Sequence, residues 1–378
     1  QIFVQSATML GTAGVTNGVV KYTAQHNSEP KIQKDYWRTA TSLSFIFASI
    51  ISVSIYVSSE ILSNMLFQTS DFKQVFEYLS VSLIFFSLNT ILLAILNGMG
   101  EVVSYVKATI VGNLTSLVIV SYLVYEHSLI GALFGLAIYQ SLSFFATLFF
   151  CYTFKWFNFS SFVGWIVPAR ALSLFKYSLM ALTSAIIVPA SQLFIRGDLI
   201  TQFGRTEAGY WEAIWRLSGS YLMFITGVLT FYFLPKFSEL DSARQLKIEI
   251  LGGYKLLIPF MLITMSGIYF LQDLVLWILF TSEFKPALEL LPIQLLGDFF
   301  KVSSWLLGFI MLAKSMTKIY IVSEIFFAST FCLFSYVLTR TMGFEGVVYA
   351  YCFNYLLYGI FLYWVIWVRY LGKYNGQN

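Results

Sequence analysis

Glu212 and Arg216 stand four residues apart and Asp298 and Lys301 three apart. Each pair lies inside a stretch otherwise apolar enough to cross a membrane. A charge in hydrocarbon costs from about 2.5 kcal/mol to more than 10, so such groups face a protein interior or a watery cavity. The pairs therefore predict a polar pathway through a greasy protein. Their cations predict an anionic cargo. Asp298 and Lys301 fall about nine to twelve residues into their stretch, beyond snorkelling reach. Glu212 and Arg216 open theirs with Glu before Arg, an order that equally serves plain self-neutralisation. Arg196 ends another stretch with Asp198 just beyond it, where an interfacial snorkelling arginine is an equal account. Glu324 sits one turn inside the stretch after Lys301, within reach of Lys318 or Lys301, and offers a protonatable carboxylate for coupling to a proton gradient. Lys21 closes the first apolar stretch, where a charge at the cytoplasmic edge is the plainer reading and a cavity role the sharper one.

The elements that must hold these residues are membrane helices. The chain is 58% hydrophobic and 11% charged, against roughly 25% charged in soluble domains, and its mean hydropathy is +0.75. Apolar runs near 20 residues recur throughout, each long enough for a hydrocarbon core of about 30 Å. Only helices or closed barrels satisfy the backbone in lipid, and runs that are continuous rather than alternating select helices. Eleven spans are predicted, at about 1–20, 39–58, 76–98, 107–125, 129–151, 172–196, 210–233, 254–280, 289–312, 319–339 and 347–368. The class is an all-α polytopic membrane protein with short connections.

Lysine and arginine set the orientation. Alternate connections beginning with 21–38 hold most of the cations, among them Lys31, Lys34, Arg38, Lys155, Arg170, Lys236, Lys247, Arg369 and Lys373. The opposite set holds only Lys73, Arg196, Arg205, Lys285 and Arg340. The first set and the C-terminus are predicted cytoplasmic. Gln1 then opens an apolar run on the far side, which reads as a chain lacking its first helix; restoring one gives twelve spans. The basic stretch at 153–171 is the predicted linker between an N-terminal lobe, 1–152, and a C-terminal lobe, 172–378. Gly11, Gly14 and Gly18 recur at a spacing that brings helices close. Asn17, Asn89, Asn97 and Asn113 are the polar groups of the first half.

Several chemistries are not provided for. No phosphate-binding G-x-x-x-x-G-K-[ST] segment occurs. His26 and His127 are far apart, and Cys151, Cys332 and Cys352 lie in apolar runs, so neither a metal site nor a nucleophilic triad is predicted. No cofactor and no nucleic-acid partner is expected. The abundance of Phe (38) and Tyr (24) is read as membrane-helix composition in preference to sugar stacking.

Several segments in order resemble the Wzx-type flippases, the lipid III and O-antigen translocase branch of the multidrug/oligosaccharidyl-lipid/polysaccharide (MOP) exporter superfamily. Residues 14–25 (GVTNGVVKYTAQ) resemble the end of that family's second helix, and 175–183 (FKYSLMALT) the start of its seventh, which Phe194-Ile-Arg196 would close. Gly209-Tyr-Trp211 and Tyr232-Phe-Leu-Pro235 resemble the beginning and end of the eighth, and Gln294-Leu-Leu-Gly-Asp-Phe-Phe-Lys301 with Ala313-Lys314 the tenth.

The resemblance implies two six-helix lobes in a V around a central cavity, working by alternating access. It implies as cargo an undecaprenyl-pyrophosphate-linked oligosaccharide moved to the periplasmic leaflet of the bacterial inner membrane, with the glycan polymerase and chain-length machinery as downstream partners. Arg196, Asp298 and Lys301 fall on family-like positions; Arg216 rests on burial cost alone. In this reading Arg196, Arg216, Lys301 and Lys21 meet the pyrophosphate, and Glu212 and Asp298 hold the cations when the site is empty. A multidrug exporter of the same fold, with an acidic cavity, and a membrane glycan polymerase are the alternatives.

Overall fold

The structure, a computed structural model, describes residues 2–240 and 242–372; Gln1 and Lys373, used above for orientation, lie outside the described residues. Every regular element among the described residues is helical. Nine helices among them are long and apolar enough, by length and composition, to cross a membrane. The protein is a multi-pass membrane protein.

Two compact units divide the chain, Gln1–Ala181 and Leu182–Asn378. The first contains α1 (Ile2–Gly11), α2 (Thr16–Gln25), α3 (Pro30–Val57), α4 (Ser59–Phe67), α5 (Lys73–Gly98) and α6 (Val102–Tyr152). The predicted first span is not one helix. Ala13 (φ 53°) and Gly14 (φ 63°) adopt left-handed backbone, which ends α1 and restarts the chain as α2. The glycine spacing does bring helices close: a Cβ on Gly18 would lie 2.9 Å from the Tyr177 ring, and one on Gly11 2.6 Å from Ser87 Oγ.

The 51 residues of α6 are a hairpin rather than a rod. Ser128 (φ 49°, ψ −123°) breaks the helix, Ser116 Oγ donates to the Tyr139 carbonyl at 2.5 Å, and Gly112 faces Ser143 while Gly135 faces Val120. These pairs share one antiparallel register, so the halves correspond to the predicted spans 107–125 and 129–151. Residues 153–167 follow with one short turn, Phe159–Ser161. They are stitched onto α3, where Arg38 Nε donates to the Ser160 carbonyl (3.0 Å) and Ser42 Oγ to that of Gly164 (2.9 Å). The division between the units falls beyond them, inside α7 (Pro168–Phe203).

The second unit continues with α8 (Arg205–Val228), a π turn at Leu229–Phe233, α9 (Leu234–Glu239), α10 (Ala243–Phe270), α11 (Gln272–Leu279), a 3₁₀ segment at Ser282–Leu290, α12 (Leu291–Ala313), α13 (Thr317–Met342) and α14 (Gly346–Tyr363). Pro235 explains the π turn, because it has no N–H for the carbonyl four residues back and its ring crowds that carbonyl. The core forms where α8, α12, α13 and α14 meet, around Trp211, Ile214, Leu291, Leu295, Phe331 and Tyr351.

Central position falls to α12, which is buried along its length and contacts α8, α10, α13 and α14. Gly297 allows the approach of α14, since a Cβ there would overlap the Tyr351 ring and lie 3.3 Å from the Cys352 Cα. Gly297→Ala is expected to cost about 1–3 kcal/mol, the range for overpacking a filled core, read as a lower thermal unfolding midpoint in detergent. Unchanged unfolding would show that α14 can retreat without loss.

Candidate functional site

The buried face of α8 carries Ala208, Trp211, Ile214, Leu217, Ser218 and Leu222, so residues 212 and 216 point away from it. Arg216 Nε meets Glu212 Oε1 at 2.9 Å, with the arginine side chain 74% exposed on its unit. Arg196 is likewise exposed on α7. Asp198 serves neither of these: it takes Arg340 of α13 in a two-pronged pair, Nη2 to Oδ1 at 3.0 Å and Nη1 to Oδ2 at 3.2 Å, with the guanidinium 3.3 Å above the Tyr336 ring. Lys21 is buried in the first unit, its Nζ 4.1 Å from the Tyr22 ring, and Tyr22 stacks on Tyr36 at 4.2 Å. The plain edge-charge reading of Lys21 anticipated no such burial.

Asp298 and Lys301 are both buried but form no direct ion pair. Asp298, fully buried, is surrounded by hydroxyls. Ser218 Oγ donates to Oδ2 at 2.7 Å, the Tyr221 hydroxyl donates to the same oxygen, and the Tyr351 hydroxyl donates to Oδ1 at 2.6 Å. Gln294 Nε2 donates in turn to Ser218 Oγ at 3.2 Å. A carboxylate in a dry core demands such partners, and three hydroxyls from α8 and α14 supply them. Asp298 is thus not a direct hydrogen-bond partner of Lys301: three neutral hydroxyls take its hydrogen bonds, and its charge reaches Lys301 through space.

Lys301 is held by rings. Its Nζ lies 5.0 Å from the ring centroids of Trp215, Trp305 and Tyr355 and 5.3 Å from that of Tyr351. Ring quadrupoles attract a cation by about 2 kcal/mol or more each when desolvated, but they do not use its N–H groups. The side chain is only 9% exposed, and the ammonium faces a cavity of about 400 Å³. Glu324 of α13 lines the same cavity but forms a direct ion pair with neither Lys301 nor Lys318. A smaller cavity of about 270 Å³ touches Lys301 from the α8 side, beside Ser218 and Gly219.

Of the seven residues predicted from the sequence, Lys301 and Glu324 share one cavity and Asp298 lies behind Tyr351. Glu212, Arg216 and Arg196 lie elsewhere on the second unit, and Lys21 belongs to the first. The groups that reasoning from charge missed are the ring cage and Asn354, which is 3% exposed and lines the cavity. Their signal was present in the sequence: Tyr351, Asn354, Tyr355 and Tyr358 recur at i, i+3, i+4 and i+7, one face of a helix. Among the described residues no cluster of metal-ligating side chains forms.

An all-helical membrane protein with this chain path has the fold of MOP-superfamily transporters. An outward-facing multidrug resistance MATE family transporter of that superfamily superposes with TM-score 0.83, covering 100% of this chain and 87% of its own, at 15% identity. A MOP superfamily transporter from Pyrococcus furiosus gives TM-score 0.84 over 99% of this chain and 86% of its own, also at 15% identity. The chain belongs to the family of polysaccharide biosynthesis proteins, which matches residues 1–289. The lipid III flippase of Escherichia coli (strain K12) is 27% identical over 372 residues, 96% of this chain and 89% of that protein.

Proposed function

We propose that the protein is a flippase that moves a lipid-linked oligosaccharide, joined through pyrophosphate to an undecaprenyl tail, from the cytoplasmic to the periplasmic leaflet of the bacterial inner membrane by alternating access. The observation that carries this reading is Lys301, a buried cation facing an open cavity, with neither a hydrogen bond nor a carboxylate at ion-pair distance among the described residues. Burying a charge with no direct partner is costly even with Asp298 and Glu324 acting on it through space, and a cargo anion would offset that cost only while bound. The relation to a lipid III flippase along almost the whole chain supports the same cargo class. Likeness to a multidrug transporter concerns fold, which does not select a substrate.

In this reading Lys301 meets the pyrophosphate, and Arg196, Arg216 and Lys21 add positive potential along its route. Glu212 fixes Arg216, Asp298 fixes the rings around Lys301, and Glu324 is the candidate for ion coupling. The sugars cross in water while the prenyl tail stays in lipid, and the C-terminus is cytoplasmic.

The test is reconstitution in liposomes carrying a fluorescent undecaprenyl-pyrophosphate oligosaccharide on one leaflet. Protein-dependent appearance on the other leaflet is expected, with no efflux of cationic drugs. Drug efflux without lipid translocation would establish the multidrug reading instead.

A further inference from the structure

We propose that the cavity of the second unit is a subsite for a single pyranose ring carrying an adjacent anionic group, with the anion on Lys301 and Asn354 and the ring hydroxyls on Glu324. The inference rests on the flippase reading and adds to it where a sugar, and not only the phosphate, is held.

Two buried donors face this space unused. Lys301 makes no hydrogen bond to the described residues. The Asn354 amide oxygen accepts from Thr330 Oγ1 at 2.8 Å, which orients the amide of a residue that lines the cavity, and its NH₂ donates to no described residue. Both residues are more than nine-tenths buried. Donors in such surroundings call for acceptor oxygens. Glu324 contributes the complementary group, a carboxylate that can accept from hydroxyls.

Charge and size narrow the class. A purely cationic ligand would meet Lys301, and a ligand anionic throughout would meet Glu324. An apolar one would leave the Lys301 ammonium and the Asn354 NH₂ desolvated without acceptors, and Glu324 with only Ser184 beside it. A neutral polyhydroxylated body with one anion satisfies all three. At about 400 Å³ the cavity is too large for a bare phosphate and falls within the range of about 300–1,000 Å³ usual for small-ligand sites. Trp305, Phe327, Tyr355 and Tyr358 supply flat walls suited to the C–H face of a pyranose. The shared chemistry, a sugar bearing an anion, has two sources: the sugar next to the pyrophosphate, or an acidic sugar within the glycan.

Equilibrium binding to the whole protein in detergent, by calorimetry, tests this with glucose 1-phosphate, glucuronate, glucose and inorganic phosphate. At least one of the first two is expected to bind tenfold or more tighter than both glucose and phosphate. Preference for glucose 1-phosphate assigns the sugar next to the pyrophosphate; preference for glucuronate assigns an acidic sugar. Asn354→Ala is expected to weaken that binding about 10-fold. Thr330→Val, which leaves every cavity side chain in place but frees the amide, is expected to weaken it about 3- to 10-fold. Thermal unfolding of each variant separates lost binding from lost fold. Phosphate binding as tightly as either sugar anion, or no binding of any, overturns the subsite. If liposomes then still translocate the lipid-linked cargo, the subsite fails and the flippase reading stands. Sugar-anion binding without lipid translocation would uphold the subsite and overturn the flippase reading.

Discussion

Replacing Lys301 by methionine is expected to cut translocation of a lipid-pyrophosphate cargo by roughly 100-fold while leaving the protein folded and inserted. Truncating one partner of a buried, hydrogen-bonded charge pair costs about 2–5 kcal/mol, and each 1.36 kcal/mol is tenfold. The lower limit is about 30-fold and the upper exceeds 1,000-fold. Folding should survive, because the side chain contributes no hydrogen bond to the described residues. Its attraction to four rings is opposed by the cost of drying an ammonium. Methionine keeps the volume and packs against aromatic faces. Lys301→Arg retains charge but brings a planar fork into a box shaped around a compact ammonium, so partial activity is expected. The measurement is initial flux per inserted molecule in liposomes, with unfolding in detergent as the control. Wild-type flux in the methionine variant would remove Lys301 from the transport mechanism.

What the sequence disclosed and what it hid follow from the same physics. Membrane helices are legible because hydrocarbon admits only apolar segments with internal hydrogen bonds, so the all-α class followed from composition. Boundaries were less visible: α7 runs from Pro168 to Phe203, well past the predicted 172–196, because a helix does not end where the bilayer does. The turn at Ser128 was readable as a short gap between apolar runs, whereas the break at Ala13 and Gly14 was not, since no charged residue marks it and the glycines beside it also read as helix-packing positions. Lys301 and Asp298 were found by burial cost, and both are buried. Their adjacency at i,i+3 hid their partners, because hydroxyls from α8 and α14 reach Asp298 first and spacing along one helix is silent about its neighbours. Arg216 shows the converse: the same cost argument singled out a side chain that lies on the exposed face of its unit. Asn354 and its flanking tyrosines carried no charge to draw notice, although their helical spacing was in plain view.

Asp298→Ala is expected to be strongly destabilising, by about 3 kcal/mol or more, because each buried donor left unpaired costs about 1–3 kcal/mol. Alanine strands the hydroxyls of Ser218, Tyr221 and Tyr351 without the acceptor they share, and opens space where a carboxylate stood. Its effect spreads to the transport site, because Tyr351 both donates to Asp298 and forms one wall of the Lys301 cage. Asp298→Asn should cost less, since a rotated hydroxyl can still donate to the amide oxygen, and Tyr351→Phe less again. One hydroxyl is then lost, at about 1–2 kcal/mol, between the averages for neutral membrane pairs and charge-assisted bonds. Heat unfolding in detergent ranks the three. The double variant Asp298→Asn with Lys301→Met decides whether the two residues act as a pair. Sharing Tyr351 without touching each other, they should couple in stability at the lower end of the range of about 0.5–3 kcal/mol for residues with a common partner. Coupling of about 3 kcal/mol would restore the ion pair that the spacing of these residues first predicted, and with it a lysine already neutralised before any cargo arrives.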